Sequence, residues 1–403
     1  MKEASVLPYE NIPFMHWGII SKYNFSMDKI RYVPRKRWDP LTSVEIKLFN
    51  EISREFVPIG KRRGHFSYIS PVRGLRPSPI KKEKKAIDVF KNIIDGKDYA
   101  IFISTENKRL DSPFSTRPIM MEINNANAVT IINRFPAMVR GIDSETESLI
   151  KKKVERDPFT KVAYGINLVA FPINYSETLS EIRYEDLIAL IKTLITGIAY
   201  SVDEARNKGF TLIPVYPFFN IGYLAGGSQP RLHAQVYIDL NMDGHGAFME
   251  NILQSYEEQK KIGICHLCTS RHDNRTVYEN NTWIVWATSS PRRNFHLRLA
   301  TKRHVQRITE IDSREIEGLA DALIVSSKAL DALGISGDRN IVFYSNPFGY
   351  KSYFHIFIDI LPFERLGGIE LLDSTRVARF APEDVAEEIR KAIKQYEISS
   401  ASK

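Results

Sequence analysis

Apolar residues recur along this chain at two spacings, one typical of strands and one typical of helices. Short apolar or alternating runs predict strands at residues 128–132, 166–171, 210–216 and 232–240. Residues 184–208 instead carry leucine and isoleucine three and four positions apart, which predicts one long amphipathic helix. Strands, a helix and further strands in this order indicate an α+β unit.

The same order of elements returns in the rest of the chain. A polar helix is predicted at residues 248–261, and a second long helix at residues 312–333. The flanking strands are predicted at residues 276–278, 283–287, 297–300, 340–344 and 353–361. We therefore predict two divergent copies of one unit, each an antiparallel sheet with helices packed on it. The predicted boundaries are a basic, irregular extension at residues 1–65 and units at residues 66–258 and 262–403.

Composition places the chain among ordinary globular proteins. It has 403 residues, of which 43% are hydrophobic and 26% charged, enough for two domains. No run of 18 apolar residues predicts a membrane span, and the first nine residues do not form a secretory signal. We expect a cytoplasmic protein that does not bind membranes.

The chain is basic, with a formal net charge of +8 from 56 lysines and arginines against 48 acidic residues. Basic clusters lie at residues 29–38, 61–63 and 81–85. Such a surface can attract nucleic acid, gather phosphorylated small molecules or simply be solvated. Because no KH, RNP or nucleic-acid zinc-knuckle motif is present, nucleic-acid binding is not the favoured interpretation.

The most informative segment is a glycine-rich turn at residues 222–228 that leads into a short alternating strand. Alternation places His233 and Gln235 on the same face of that strand. Glycines allow a backbone to approach a ligand closely and to present amides to phosphate oxygens. A neutral imidazole beside such a turn is a candidate nucleophile at phosphorus. The alternative interpretation is a tight turn before a core strand, with an ordinary half-buried histidine.

The motifs Asn220-x-Gly222, Ala225-Gly226-x-Ser228 and His233-x-Gln235 resemble the active-site signature of the galactose-1-phosphate uridylyltransferase family, a branch of the histidine-triad superfamily. The resemblance covers most of the chain from about residue 65 and implies two tandem histidine-triad-like units. It implies that His233 becomes covalently nucleotidylated and that Gln235 hydrogen-bonds the phosphoryl group. Further residues implied to hold the phosphates are Asn220, Gly226, Gly227 and Ser228.

Two other stretches match the family. Residues 70–77 follow a Ser-Pro-x-Arg-x-x-Arg-Pro pattern, which makes Arg73 and Arg76 candidates to contact nucleotide or phosphate. The alternative is a pair of exposed loop arginines. Asn133 and Phe135 lie in an Asn-x-Phe-Pro-Ala segment that the family places near the base and ribose.

The only two cysteines, Cys265 and Cys268, form a Cys-x-x-Cys pair. In a cytosolic chain such a pair is more often half of a metal site or a redox motif than a structural disulfide. Because the pair follows a polar helix and Gly263 and does not open a helix after a strand, a metal site is favoured, and a structural zinc site needs two further ligands. The candidates are His266, His272, His296, His304 and His355. The second half resembles ADP-sugar phosphorylase-like members of the family, which implies His304 and His355 as the ligands of a structural zinc. The alternative is a reduced cysteine pair in a core.

The first half departs from the family pattern. Relatives carry a zinc site there, but no cysteine precedes Cys265 in this chain. Asn174 and Arg231 stand where the resemblance expects histidine ligands. We predict that this metal site has been lost as a unit. Arg231 then either lies near substrate phosphate, as one of the nucleotide-binding candidates, or pairs with a carboxylate.

The resemblance implies a nucleotidyltransferase that transfers an NMP group through a histidine–NMP intermediate. The first hypothesis is hexose-1-phosphate uridylyltransfer in galactose metabolism, with UDP-glucose and a sugar 1-phosphate as substrates. The second is an ADP-sugar or dinucleoside polyphosphate phosphorylase or adenylyltransferase. A different class of function is also kept, a catalytically degenerate protein that binds nucleotides or RNA. Family resemblance also implies a homodimer.

Overall fold

The computed structural model of the chain describes residues 4–50, 55–75, 88–270, 272, 274–373 and 375–401. The helices are α1 (Val89–Ile94), α2 (Ser144–Val154), α3 (Tyr184–Asn207), α4 (Ala247–Lys261), α5 (His266–Thr269), α6 (Ser313–Ala332), α7 (Gly368–Asp373) and α8 (Pro382–Ala401). The strands are β1 (Ser5–Val6), β2 (Ile19–Ile20), β3 (Arg35–Trp38), β4 (Val44–Asn50), β5 (Glu55–Arg63), β6 (Phe66–Ile69), β7 (Phe102–Thr105), β8 (Ile119–Met120), β9 (Ala128–Ile132), β10 (Gly141–Ile142), β11 (Thr160–Val162), β12 (Gly165–Pro172), β13 (Val215–Ile221), β14 (Ala234–Asp239), β15 (Thr276–Glu279), β16 (Trp283–Ala287), β17 (Leu297–Thr301), β18 (Arg339–Tyr344) and β19 (Phe357–Pro362).

Ten of the described strands form one antiparallel sheet in the order β15-β16-β17-β19-β18-β13-β14-β12-β9-β7. The two predicted units contribute five strands each and join at β13 and β18, where Phe218 pairs with Val342. The predicted α+β class with antiparallel strands is confirmed. The sequence left open that the two sheets would merge, which gives the backbone groups on one edge of each half a hydrogen-bonding partner.

The long helices α3 and α6 cover one face of this sheet. Both present an apolar stripe, and their buried residues belong to one core that also includes Ala234, Val236 and Ile238 of β14. Helix α6 begins with a capping box in which Asp312 and Glu315 each accept a hydrogen bond from the other's backbone amide. Because the core lies on this side, the alternate residues of β14 face the opposite side of the sheet.

The N-terminal segment was predicted to be irregular, but it contains short strands that pack on the first half. Strand β3 lies between β6 and β11. Lys36 of β3 is buried and its ammonium group lies 2.9 Å from Asp239 and 2.6 Å from Asp243. A buried charge needs such partners, so this segment is tied to the first half by specific ion pairs. The predicted domain boundaries remain predictions.

Most predicted elements lie where the hydrophobic pattern placed them, with two clear displacements. The strand predicted at residues 210–216 is wrong in position, because residues 210–214 make only an isolated bridge, between Ile213 and Phe348, and β13 begins at Val215. The strand predicted at residues 353–361 begins at Phe357, because the preceding residues turn toward the cysteine pair. Within the described part of the chain, every helix is too short or too polar to traverse a lipid bilayer.

Candidate active site and metal centre

One face of β14 carries the residues that the motif singled out. His233 lies directly before the strand, and Gln235 pairs with Phe218 of β13 on one side and Val169 of β12 on the other. Tyr237 follows on the same face two positions later. His233 is 4% exposed and Gln235 is 6% exposed. This degree of burial fits both an ordinary core histidine and a shielded nucleophile, so the catalytic role of His233 stays a prediction.

The tautomer of His233 follows from its backbone partner. Its Nδ1 lies 2.8 Å from the carbonyl oxygen of Arg231. A carbonyl oxygen can only accept, so Nδ1 carries a proton, and in the neutral form of the ring the lone pair is on Nε2. The ring also packs against Phe90, with the two ring centroids 5.4 Å apart. An imidazole fixed in this tautomer has the electron pair that attack on phosphorus requires.

The glycine-rich turn next to His233 depends on backbone conformations that favour glycine. Gly222 and Gly226 have φ values of +79° and +88°. A Cβ on Gly227 would lie only 2.7 Å from the carbonyl oxygen of Gly222 and 2.8 Å from that of Asn220. The pairing of Phe219 with Ala234 brings this turn to the end of β14 where His233 lies.

The predicted role of two amides in this turn needs correction. The amide of Gly226 donates to Tyr223 at 3.0 Å and that of Gly227 donates to Gly222 at 2.9 Å. These two amides therefore hold the turn together instead of facing a phosphate. The amide of Ser228 makes no hydrogen bond with the described residues and, like the amides of Tyr223 and Ala225, is a donor that the turn still offers.

Two residues that the sequence did not single out hold the turn from the second half of the chain. The Asn340 side-chain amide donates to Oδ1 of Asn220 at 2.9 Å and to the carbonyl of Ala225 at 2.8 Å. The Asp338 carboxylate accepts from the amide of Leu224 at 2.9 Å. Their contribution depends on the pairing of β13 with β18, which no local pattern reveals.

Three other predicted nucleotide-binding residues, Arg73, Asn133 and Phe135, lie beyond Gln235, near the Tyr237 end of the same strand face. Arg73 donates to the hydroxyl of Tyr237 at 2.7 Å, two positions beyond Gln235 on the same strand face. Asn133 and Phe135 lie in the loop after β9. There the side-chain oxygen Oδ1 of Asn133 accepts a hydrogen bond from the backbone amide of Phe135 at 2.9 Å. Arg76 lies outside the described residues.

This loop is joined to the face through β12. The amide of Asn133 donates to the carbonyl of Asn167 at 2.8 Å, and Asn167 pairs with Tyr237. A residue that the sequence missed, His16, packs edge-on against Phe135 with ring centroids 5.0 Å apart. Burial, followed by the positive charge of Arg134, lowers the pKa of His16 to about 4, so that ring is neutral at physiological pH.

Arg231 pairs with a carboxylate, one of the two alternatives that the sequence left open. Its guanidinium donates twice to Asp88, at 3.0 and 2.7 Å, and to the carbonyls of Pro172 and Ile173 at 2.8 and 2.9 Å. The Arg231 side chain is only 3% exposed. Its guanidinium also lies over the ring of Tyr175, 5.1 Å from the centroid. A role in binding nucleotide remains a prediction for this residue.

The second half contains a cluster that could bind a metal. One donor atom from each of Cys265, Cys268, His304 and His355 lies within 4.8 Å of all the others. The Cys265 sulfur is 3.5 Å from Nδ1 of His355, and the Cys268 sulfur is 3.4 Å from Nδ1 of both histidines. Donors around a tetrahedral zinc lie about 3.5 Å apart, given Zn–S and Zn–N bonds of about 2.3 and 2.0 Å. The predicted four residues are therefore brought together with suitable spacing.

The surroundings of His355 prepare it to be a ligand. Its Nε2 lies 2.9 Å from the carbonyl of Thr301, which places the single N–H proton of the neutral ring there and leaves the lone pair of Nδ1 to face the sulfurs. Burial, followed by the positive charge of His304, lowers the pKa of His355 to about 4 and keeps the ring neutral. Burial and the nearby Cys265 raise the pKa of the Cys268 thiol to about 12, so two thiolates here need a cation to balance them.

The position of Gln235 in the first half is occupied by Asp359 in the second. Phe218 and Val342 pair at the junction, Gln235 pairs with Phe218, and Asp359 pairs with Val342. By the same register Phe357 occupies the position of His233. The second half therefore has no imidazole at the position of the candidate nucleophile.

No family model matches the chain. A galactose-1-phosphate uridylyltransferase of Thermotoga maritima is 23% identical over 189 residues, which are 44% of this chain and 59% of that protein. The match therefore spans less than two thirds of the length of that relative.

Two solved structures share the fold. An ADP-glucose phosphorylase from Arabidopsis thaliana, with bound ADP-glucose, has a TM-score of 0.60 and 19% identity, and the alignment covers 81% of this chain and 95% of that one. A uridylyltransferase has a TM-score of 0.57 and 21% identity, with 68% and 87% covered. These likenesses show that the chain shares the α+β fold of those two structures. Together with the curated relative, they confirm the predicted resemblance to the galactose-1-phosphate uridylyltransferase family.

Proposed function

We propose that the protein is a nucleotidyltransferase that transfers an NMP group through a covalent intermediate on Nε2 of His233. The observation that carries this proposal is the 2.8 Å contact between Nδ1 of His233 and the Arg231 carbonyl, which leaves the lone pair on Nε2. The position of this ring at the end of the glycine-rich turn supports the same function.

The reaction consists of two displacements. The lone pair of His233 Nε2 attacks the α-phosphorus of a nucleoside diphosphate sugar and forms an N–P bond. The P–O bond to the second phosphate breaks, and the sugar 1-phosphate leaves with that electron pair. In the return step a phosphate oxygen of the acceptor attacks phosphorus, and Nε2 leaves with its electrons. Throughout, Nδ1 keeps its proton and donates it in a hydrogen bond to the Arg231 carbonyl, which stabilises the positive charge that the ring gains.

The remaining residues bind and orient the substrate in this proposal. The side chain of Gln235 and the amide of Ser228 would donate to the phosphoryl oxygens as charge builds on them. Asn220 and Arg73 would contact the phosphates, and the loop with Asn133 and Phe135 would receive the ribose and base. The last placement is supported by the order of these residues along one strand face.

Two substrate classes fit this site. The first is UDP-glucose with a sugar 1-phosphate as acceptor, in galactose metabolism, supported by the curated relative. The second is ADP-sugar phosphorolysis, in which inorganic phosphate is the acceptor. The similar solved structure of an ADP-glucose phosphorylase, which covers 81% of this chain, favours keeping the second class.

The proposal also includes a structural zinc and a homodimer. Two sulfurs and two imidazole nitrogens at tetrahedral spacing fit zinc, and all four positions are filled by side chains, so the metal would hold the fold and take no part in the chemistry. The homodimer rests on family resemblance alone, and sedimentation of the purified chain tests it.

Covalent labelling tests the proposed function. The protein is incubated separately with UDP-glucose and ADP-glucose, each carrying radiolabel at the α-phosphate, and quenched in denaturant. We expect acid-labile, alkali-stable label on His233 with one of the two substrates, and its loss in His233→Ala. Exposed His65, changed to Ala, is the matched control and should retain the label. Equilibrium binding of both nucleotides without any label on the wild type would instead support the degenerate binding protein.

A further inference from the structure

We propose that the buried ion pair between Arg231 and Asp88 takes the place of a metal ion in the first half and positions His233. Arg231 is then a positioning residue for the proposed reaction. The inference rests on the proposed function for its kinetic consequence, while its structural consequence is tested independently of activity.

The equivalence of the two positions follows from the strand register. The Phe218–Val342 pair lies at the junction of the halves and relates residues of β14 to residues of β19. Gln235 then corresponds to Asp359, because each pairs with one member of that pair. The ends of the neighbouring strands agree with this choice of pair: β12 ends three residues after Val169, the partner of Gln235, and β17 ends three residues after Arg298, the partner of Asp359. Four residues earlier in each half, Arg231 therefore corresponds to the metal-ligand candidate His355.

The partner of Arg231 occupies a corresponding place as well. Asp88 is the N-cap of the short helix α1, as Cys265 is the N-cap of the short helix α5. The carboxylate of Asp88 bonds the side chain of Arg231, while the sulfur of Cys265 lies 3.5 Å from the ring of His355. In both halves, the side chain of the N-cap residue of a short helix contacts the side chain of a residue just before the strand, β14 in the first half and β19 in the second.

The first-half position that corresponds to the third candidate ligand, His304, is also polar. In the second half His304 follows β17, and in the first half Asn174 follows β12, the corresponding strand. Asn174 donates to both carboxylate oxygens of Asp186, at 3.1 and 3.2 Å. Asn174 thus ties the end of β12 to α3, and the carbonyls just before it, those of Pro172 and Ile173, accept from Arg231.

The guanidinium can do what a metal would do at this point. It is a planar cation with five donors in fixed directions, and four of the bonds it makes here join three separate segments of chain. Its charge is balanced by Asp88, as two thiolates balance a divalent metal, so both arrangements are neutral overall. The side chains of Arg231 and Asp88 are 3% and 17% exposed, so water competes little for these bonds.

The backbone carbonyl of Arg231 connects the ion pair to the orientation of the His233 ring. The residue whose side chain makes the ion pair also supplies the carbonyl that accepts from Nδ1 of His233. Fixing the side chain therefore fixes the direction of that carbonyl and, through it, the direction of Nε2. An outer hydrogen-bond partner of this kind typically changes activity 10–100-fold when removed.

The test compares Arg231→Lys and Asp88→Asn with Arg140→Lys as the matched control. Arg140 is another buried arginine of the first half, and it donates to the carbonyls of Trp17 and Pro113 at 2.6 and 2.9 Å, away from His233. The first readout is ¹⁵N NMR of the histidine rings. We expect the wild type and Arg140→Lys to show His233 as the Nδ1–H tautomer, and Arg231→Lys to show a mixture of tautomers.

The second readout is the single-turnover rate of His233 labelling, with KM measured in parallel. We expect Arg231→Lys to lower the labelling rate about 10–100-fold at nearly unchanged KM, and Asp88→Asn to lower it less. The Arg140→Lys control loses stability but keeps the rate. Equal rates and an unchanged His233 tautomer in Arg231→Lys would overturn the proposal, as would a drop that Arg140→Lys reproduces.

Metal analysis supplies the third readout. We expect zinc bound to the second-half cluster only, and Cys268→Ala to abolish the bound zinc of the whole chain. Zinc that survives this substitution and is lost in Asp88→Asn would overturn the proposal. If the wild type is never labelled, the proposed function fails, but the tautomer and the metal analysis still decide whether the ion pair replaces a metal.

Discussion

The two halves of this protein share one fold and have kept opposite parts of one site. In the first half, His233 leads into β14 as the candidate nucleophile, and the nearby support is the ion pair of Arg231 and Asp88. In the second half, Phe357 stands at the place of the nucleophile and four sulfur and nitrogen donors cluster beside it. In this fold, the group that supports the start of the inner strand, an ion pair or a metal-ligand cluster, therefore does not require a histidine at the candidate nucleophile position.

The same comparison extends to the middle of the strand face. Gln235 of the first half has a neutral side chain that takes part in no ion pair with the described residues. Its counterpart Asp359 is engaged from both sides, by Arg298 at 2.6 and 2.9 Å and by Nε2 of His296 at 3.1 Å. The corresponding position in the second half therefore belongs to an ion cluster.

Removal of the metal ligands should have the largest effect, and it should fall on the second half. Cys265→Ala deletes one of four donors in the cluster. Because structural zinc contributes about 10–16 kcal/mol of apparent binding free energy in zinc-finger peptides, we expect a loss of several kcal/mol of unfolding free energy. Urea unfolding with and without a chelator measures it, and the chelator should have no further effect on the variant.

The matched control is His266→Ala, which changes an exposed histidine between the two cysteines and should retain both the metal and the stability. If Cys265→Ala and the wild type unfold alike in the presence of zinc, the cluster does not hold the second half. If the tautomer of His233 changes when the metal is chelated, the four-residue cluster of the second half is coupled to the Arg231–Asp88 ion pair of the first half.

Neutralising Asp359 should have the next largest effect. The side chain is fully buried, and Asp359→Asn leaves the Arg298 guanidinium without its carboxylate. Removing one member of a buried pair typically costs about 3–5 kcal/mol, whereas the equivalent change in the first half, Gln235→Ala, should scarcely alter stability. Thermal and urea unfolding of the two variants side by side measure this contrast.

The pH dependence of that difference is fixed in sign. Burial opposes ionisation of Asp359, but His296 and Arg298 outweigh it and hold its pKa well below the ordinary value. A carboxyl with a depressed pKa contributes stability that is complete above its unfolded-state pKa of about 3.9 and is lost as the pH falls through the folded value. The gap between the wild type and Asp359→Asn should therefore be constant from pH 8 to 5 and narrow below pH 4. A gap that narrows between pH 8 and 6 would assign the effect to another group.

Local patterns were enough to predict much of the fold and the two centres. The apolar spacing of α3, the alternation into β14 and the Cys-x-x-Cys pair are each contained in one short segment. Strand β7 was missed because all four of its residues are buried, which removes the alternation that marks a strand. The loss of a metal site in the first half was predicted from Asn174 and Arg231, but the structure was needed to show what stands there.

The partners that complete each centre are distant in sequence and carry no motif. Asp88 lies 143 residues before Arg231, and Asn340 lies 120 residues after Asn220. The first pair depends on how the first half folds, and the second depends on how β13 pairs with β18. Neither is visible in any short window of the sequence. The amides of Gly226 and Gly227 show the same limit, because a glycine-rich pattern does not say whether its amides face a ligand or the turn itself.

The smallest effect we predict joins the two halves at the site itself. Asn340→Ala removes the side-chain amide that donates to Asn220 at 2.9 Å and to the Ala225 carbonyl at 2.8 Å. Loosening the turn by about 1–2 kcal/mol should raise KM for the nucleotide sugar about 5–30-fold and leave the tautomer of His233 unchanged. The matched control is Asn280→Ala, whose amide donates to the Gly318 carbonyl at 2.8 Å within the second half and should affect stability alone. If both variants lose the same stability and neither changes KM, the second half supports the fold of the turn but not its binding of substrate. A rise in KM confined to Asn340→Ala would show that the half without a nucleophile still shapes the site of the half that has one.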